Sequence, residues 1–363
     1  MDDGRNIDPS VGLLTGEASE QEATGRGQMT EAPAQAWDRV PSGEGDPGAE
    51  PTYYDRPVLK EPVWIWAVPA YFYLGGAAGA AGVLAAAAQT FSRDDAVHGL
   101  VKRCRWIGAV GTLAGTGLLI HDLGRPDRFL NMLRVFRPTS PLSVGSWILA
   151  TATPLNGVSA LLADADGGLG GVGSATGMAS AVMGLPLSGY TAVLLSNTAV
   201  PVWQQTRGSL PALFVSSAVS AAASLLQLMR LNDREQRIAR RFAAVGAVAE
   251  LASHLAVERE AGRVEEVAVP LHQGVSGAML RAAKGLAAAS LALTLLPGKA
   301  RWRSIAAGAF GTAGALAIKF GIFHAGKASS IDPRATFRQQ RAGYGAAEVT
   351  GRAAVTGPEG GVG

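Results

Sequence analysis

The strongest constraint on this chain is a series of long apolar runs divided by short charged connectors. A helix needs about 20 mostly apolar residues to cross a bilayer. Eight stretches approach that requirement, over 64–90, 106–121, 142–163, 177–199, 211–229, 242–257, 276–296 and 304–325. The second and sixth are short, so their helices are expected to include flanking polar residues. Charged residues make up 17% of the chain, against roughly 25% in an ordinary soluble domain. They gather at the two ends and in the connectors. The expected fold is therefore an all-α integral membrane protein with about eight transmembrane helices.

The N-terminus opens MDDGRNIDPS, without the basic and apolar regions of a signal peptide. Residues 1–52 are acidic, rich in Gly and Pro, and poor in large apolar side chains, so they read as a disordered tail. Residues 53–330 form the membrane domain, and 331–363 a polar C-terminal tail. The net charge of +3 gives no sign of a nucleic-acid partner. A single cysteine, Cys104, excludes a disulfide framework and an iron–sulfur cluster held by this chain alone.

Eight spans put both termini on one side, here called side A. Side A then also carries the 122–141, 200–210 and 258–275 connectors. Trp64, Trp66, Trp147 and Trp203 fall at side A ends, and Trp106 and Trp302 at side B ends, as an interfacial belt requires. Lys and Arg are nearly balanced between the sides, so the positive-inside rule assigns no orientation. Small residues at four-residue spacing, Gly75 with Gly79 and Gly111 with Gly115, suit close helix packing in lipid.

The chemistry-bearing residues are distributed unevenly. His121, His254, His272 and His324 fall at or near side A, and only His98 on side B. Paired axial ligands near both surfaces, which a transmembrane dihaem protein needs, are absent, while the count leaves room for one haem on side A. Glu250 and His254 lie at i and i+4, on one helix face, and could relay protons. Lys319 falls near mid-span and should face the bundle and pair with an acid, or snorkel. A further reading takes these three as a partial proton path, but side B offers few buried acids to complete it, so pumping is not expected.

At 121–133 the chain reads HDLGRPDRFLNML. His121 and Asp122 close an uncharged run, and Gly124 and Pro126 stop the helix. Arg125, Asp127 and Arg128 lie just outside, followed by Arg134 and Arg137. The first span opens KEPVWIWAVPAYFYLGG, where Glu61, Trp64, Trp66, Tyr71 and Tyr73 form an aromatic side A entrance suited to a flat ring compound. In the fourth span Pro186 and Gly189 should kink the helix near Tyr190 and Asn197.

Three blocks, YFYLGGAAGAAG at 71–82, HDLGRPDRFLNMLRVFRPTSPLSVGSWIL at 121–149 and GYTAVLLSNTAVPVW at 189–203, resemble the NrfD family, which includes the membrane subunit of polysulfide reductase. The resemblance implies two four-helix bundles without a redox metal. It implies a quinone, menaquinone or ubiquinone, bound near one surface, and an iron–sulfur, ferredoxin-like subunit docked there. A molybdopterin catalytic subunit would complete the complex. By motif, the quinone contacts match the Trp64–Tyr71 region and Tyr190. The family's Asn and His before the YF-x-LGG motif are replaced here by VWIWAVP, so His121, Asp122 or Glu61 would supply the polar partners.

The chain is thus expected to be a quinone-reactive subunit of a respiratory oxidoreductase, multi-pass in a prokaryotic cell membrane. His121, Asp122, Glu250 and His254 would exchange protons. Glu61, Trp64, Trp66, Tyr71 and Tyr190 would hold the quinone. Arg125, Asp127, Arg128, Arg134 and Arg137 would face the partner. The competing readings are a passive membrane anchor and a secondary transporter. The latter would need a second broken helix to match the fourth.

Overall fold

The computed structural model describes residues 6–8, 13–15, 57–92, 95–124, 126–298 and 300–342. Two three-residue strands, β1 (Asn6–Asp8) and β2 (Leu13–Thr15), pair antiparallel. The rest of the N-terminal tail, Arg125, and the chain from residue 343 lie outside the described residues.

The remaining secondary-structure elements are helices. The long helices are α1 (Ala67–Phe91), α2 (His98–Asp122), α3 (Pro141–Leu161) and α4 (Gly167–Ser196). A short α5 (Pro201–Gln205) leads to α6 (Leu210–Leu228) and α7 (Asp233–Ala261). A short α8 (Glu265–His272) leads to α9 (Gly274–Leu295) and α10 (Arg301–Ile331), and α11 (Pro333–Arg341) ends the described chain. Five of these, α1, α4, α6, α9 and α10, are long and apolar enough to cross a membrane. Of the other three long helices, α2 and α7 carry their apolar run inside a more polar helix. α2 opens on Lys102, Arg103 and Arg105, and α7 on the basic stretch that follows its Asn232–Glu235 capping box. α4 runs unbroken through Pro186.

Helices α1, α2, α3 and α4 pack around one another in a ring, and α6, α7, α9 and α10 form a second. α1 and α6 pack together and join the rings. Small residues set the spacing, since burying Leu against lipid-like neighbours gives little drive. At the crossing of α1 and α4, a Cβ added to Gly79 would stand 2.5 Å from the Gly184 carbonyl oxygen. One added to Gly184 would stand 2.6 Å from that of Gly79. Only backbone fits there. Gly124, at φ 65°, ends α2 in the left-handed region, as its position after the helix suggested.

The two ends differ. Side A is capped by α5, α8 and α11, which pack on one another. There Gln339 donates to Gln205 at 3.0 Å and Ser209 N donates to Glu260 at 2.8 Å. Side B is held by basic side chains. Arg301 donates to the carbonyls of Gln227 and Met229 at the end of α6, and Arg240 to those of Thr294 and Leu296 at the end of α9. The last carbonyls of a helix lack intrahelical partners and attract cations. Arg103 pairs with Glu235 at 3.0 Å, and Lys102 pairs with Asp164.

The tryptophan belt needs one correction. Trp66, Trp106, Trp147 and Trp302 are exposed at the helix ends. Trp203 is instead completely buried. Its Nε1 donates to the Ile322 carbonyl at 2.8 Å, and Trp64 stacks on it at 5.9 Å. A polar handle that finds its partner inside the protein has no need of the interface.

Candidate functional site

The first span's aromatic entrance and the end of α2 meet. Asp122 Oδ1 accepts a hydrogen bond from the Ile65 N–H at 3.1 Å, and the His121 ring lies 6.3 Å from that of Trp66. Asp122 is half-buried, and that burial pushes its carboxyl above the usual range, against the opposing pull of the Ile65 N–H and of His121. His121 and Trp66 are exposed.

Deeper in, Tyr71 of α1 and Tyr190 of α4 are hydrogen-bonded hydroxyl to hydroxyl. Glycines make room for both rings. An added Cβ at Gly115 of α2 would stand 2.9 Å from Tyr71 Cδ2, and one at Gly145 of α3 would collide with the Tyr190 ring. Gly115 precedes His121 by six residues, roughly 9 Å along the helix axis. The tyrosine pair therefore sits below the His121–Asp122 end, inside the first ring of helices. Of two hydroxyl protons, one closes the pair, and the other is free for a further acceptor.

Two cavities flank the end of α4. One, of about 520 Å³, is lined by Tyr190 and Asn197 together with apolar side chains such as Pro141, Ile148 and Val193. The other, of about 390 Å³, is lined by Glu61, Trp64, Thr198 and Trp203. The expected quinone-holding residues are thus divided. Glu61 and Trp64 line the second cavity, Tyr190 the first, and Tyr71 is the buried partner of Tyr190. Glu61 is also paired with Lys327 of α10 at 3.0 Å.

Glu250 and His254 are both buried on α7, in the second ring. Their neighbours are not His121 and Asp122. Glu250 lies beside Ser220 and in the field of Lys319, and His254 in the field of Glu258 and Lys284. The expected proton-exchanging set is therefore two sites. An aromatic series runs between them, with ring separations of 6.1 Å for Tyr71–Phe72 and 5.8 Å for Phe72–Phe214. Lys319 Nζ then lies 3.7 Å above the Phe214 ring.

Of the expected docking residues, Asp127, Arg134 and Arg137 are exposed at side A, beside exposed Leu130, Val135 and Phe136. Arg125 and the Arg128 side chain lie outside the described residues. Among the described residues, no group of His, Cys, Asp and Glu could hold a metal ion. Sequence reasoning missed Gly145 and Gly115 as seats for the tyrosines, Trp203 as the centre of the side A core, and Glu258 with Lys284. The four-residue spacing of Glu250, His254 and Glu258 could have revealed the last.

No curated protein matches the chain in a sequence comparison. The family model described as polysulphide reductase, NrfD, matches residues 57–328, which include both rings, the tyrosine pair and both cavities. The match covers well over half of the chain, and the protein belongs to the NrfD family.

Proposed function

We propose that this chain is the quinone-reactive membrane subunit of a multi-subunit respiratory oxidoreductase, passing electrons between membrane quinone and an iron–sulfur partner docked on side A. NrfD proteins are membrane subunits of such complexes. The observation that carries the finer reading is the Tyr71–Tyr190 hydroxyl pair, set against an apolar cavity of about 520 Å³.

The residues present fit a quinone. Ligand cavities of about 300–1,000 Å³ with apolar walls and a few polar groups are typical of flat ring compounds. When bound, a quinone supplies a couple of two electrons and two protons. The Tyr190 side of the hydroxyl pair can donate to a carbonyl oxygen, while Tyr71 holds it in place. Pro138, Pro141 and Pro186 give the cavity an apolar wall against which a ring can lie. His121 and Asp122, at the side A end of α2, are placed to exchange protons with solvent. Exposed Arg134 and Arg137 beside exposed Val135 and Phe136 suit a partner with surface carboxylates. The complex would lie in a prokaryotic cell membrane, with a molybdopterin enzyme as its catalytic subunit.

The purified complex tests this with Tyr190→Phe. Quinone-linked turnover is expected to fall by about a hundredfold, the lower range for losing a positioned proton donor. Turnover with an artificial dye that reacts at the partner should be unchanged. A parallel fall in both would remove Tyr190 from the quinone site.

A further inference from the structure

A cavity of about 420 Å³ lies at the side B end of the first ring. The end of α1, the start of α2, the end of α3 and the start of α4 bound it, through Gln89, Lys102, Arg105, Leu162 and Asp166 among others. It stands at the opposite end of the ring from His121 and Asp122. None of the residues assigned to the quinone or to the partner lines it. Side chains of both signs meet there. Lys102 of α2 pairs with Asp164, and His98 approaches the same carboxylate at 3.4 Å.

Arg105, one turn deeper than Lys102, is only 6% exposed. A charge held inside a membrane helix is costly, and its retention there marks function. Its Nη1 donates to the Ser159 carbonyl at 3.3 Å and its Nη2 to Gln89 Oε1 at 3.1 Å, both neutral acceptors. The Arg105 Nε has no partner, and neither has the Ser159 hydroxyl. Buried polar atoms are almost always paired. Both atoms stand against Gly177 of α4, where an added Cβ would lie 3.3 Å from Nε and 2.8 Å from Ser159 Oγ. Gly177 follows cavity-lining Ser174 by three residues, so the space its missing side chain leaves continues the cavity inward. An oxyanion is the acceptor that suits a guanidinium with a donor to spare.

The outer end of the cavity has the opposite sign. Asp166 is the N-cap of α4, a position where Asp ordinarily accepts from the first turn, yet its side chain makes no capping bond. It is exposed and lines the cavity instead. Apolar side chains surround the mouth. Phe91, Leu161 and Leu169, next in sequence to cavity-lining Ser92, Leu162 and Gly170, are all exposed. From water inward the order is therefore a carboxylate, then Lys102, then Arg105, beside an apolar flank. A phospholipid presents its headgroup cation, its phosphate and its acyl chains in that order. Basic pockets between membrane helices are known seats of lipid headgroups.

We infer that this cavity holds the headgroup of a phospholipid that carries both a phosphate and a primary ammonium, the phosphatidylethanolamine class. The phosphate accepts from Arg105 Nε and lies in the field of Lys102. The ammonium donates to Asp166. The acyl chains leave past Leu161 and Leu169. A trimethylammonium headgroup has no N–H to give Asp166, and a headgroup without a cation leaves that carboxylate beside a phosphate. A soluble phosphate has no use for the apolar mouth. The site is independent of the quinone reading, because it shares no residue with the Tyr71–Tyr190 pair or its cavity.

The full chain, delipidated in detergent and titrated with single phospholipids, tests it by native mass spectrometry. Phosphatidylethanolamine is expected to bind about tenfold more tightly than phosphatidylcholine or phosphatidylglycerol, the scale of one charged hydrogen bond. Arg105→Gln should weaken it about tenfold. Asp166→Asn, at an exposed position, should abolish the preference over phosphatidylcholine, and it carries the test if Arg105→Gln elutes as aggregate. Equal binding of the three lipids by wild type would overturn the site, as would a preference for phosphatidylglycerol. So would an Asp166→Asn chain that discriminates like wild type. Displacement of the lipid by an equal concentration of phosphoethanolamine or inorganic phosphate would overturn the lipid as occupant in favour of a soluble phosphate. The assay contains no quinone, so its outcome and that of the quinone-site test are separate.

Discussion

The two rings of helices use one architecture and bury different titratable groups. In the first, α1 to α4, the buried tyrosine pair lies under one end, and Asp122 and His121 close that end. In the second, α6, α7, α9 and α10, the ionisable pair Glu250 and Lys319 is fully buried, and hydroxyls continue from it. A polar group near one surface can serve a ligand that enters from that surface. The difference lies in a few side chains, because both rings are spaced by the same device of glycine and alanine at helix crossings.

The largest expected effect is at Trp203 of α5, which bridges the segment leading into α1 and helix α10 of the second ring. Trp203 stacks on Trp64 and donates to Ile322 of α10. Trp203→Ala should cost about 3–5 kcal/mol, measured by denaturant unfolding in detergent. It should also impair quinone-linked turnover, because Trp203 and Trp64 line the same cavity. Unchanged turnover would detach that cavity from the quinone site.

Next in size is Gly145→Ala. Its methyl group would enter the Tyr190 ring, and overpacking of this kind costs about 1–3 kcal/mol. Quinone-linked turnover should drop about tenfold or more, because the ring that carries the donor hydroxyl is displaced. Unchanged turnover would remove Tyr190 from the quinone site.

Smaller again is Glu61→Gln, which breaks the pairing with Lys327 between the leading segment and α10. A partly exposed pair contributes about 0.2–1 kcal/mol, and less in high salt. A shift in unfolding midpoint that survives 1 M salt, roughly a 3 Å screening length, would show that Glu61 does more than pair.

The smallest effect is on pH dependence. Burial holds the Asp122 carboxyl above its ordinary value of 3.8. For an acid raised in the folded state, ionisation penalises folding. Its contribution is therefore neutral below the unfolded value and turns unfavourable as pH rises through the folded one. Asp122→Asn keeps an acceptor for Ile65 N–H and removes that decline, so its thermal unfolding should depend less on pH than wild type as pH rises above the ordinary carboxylate value. An unchanged slope would place the titrating group elsewhere.

Much of this was legible in the sequence, for definite reasons. Apolar runs mark helices because each must bury its own backbone polarity in lipid. Gly124 and Pro126 mark the end of α2 because the stop is local. The Glu250–His254 face followed from spacing alone. The positive-inside count assigned no orientation, and the structure gives part of the reason. Arg240 and Arg301 are engaged by helix-end carbonyls, and Arg103 and Lys102 by acids, so much of the side B charge is structural.

By itself, the sequence determined an all-α membrane protein of the NrfD family, with polar groups weighted to side A. Those properties depend on composition, on short-range periodicity and on contiguous motifs. Only the tertiary structure decided which polar groups work together. Tyr71 and Tyr190 are 119 positions apart and meet because Gly145 and Gly115 clear their rings. Glu250 lies with Lys319 and not with Asp122 because α7 packs into the second ring. Trp203 left the interface because a carbonyl 119 residues away accepts its N–H. Each is a contact between distant segments, fixed by how helices cross, and no local pattern encodes the crossing.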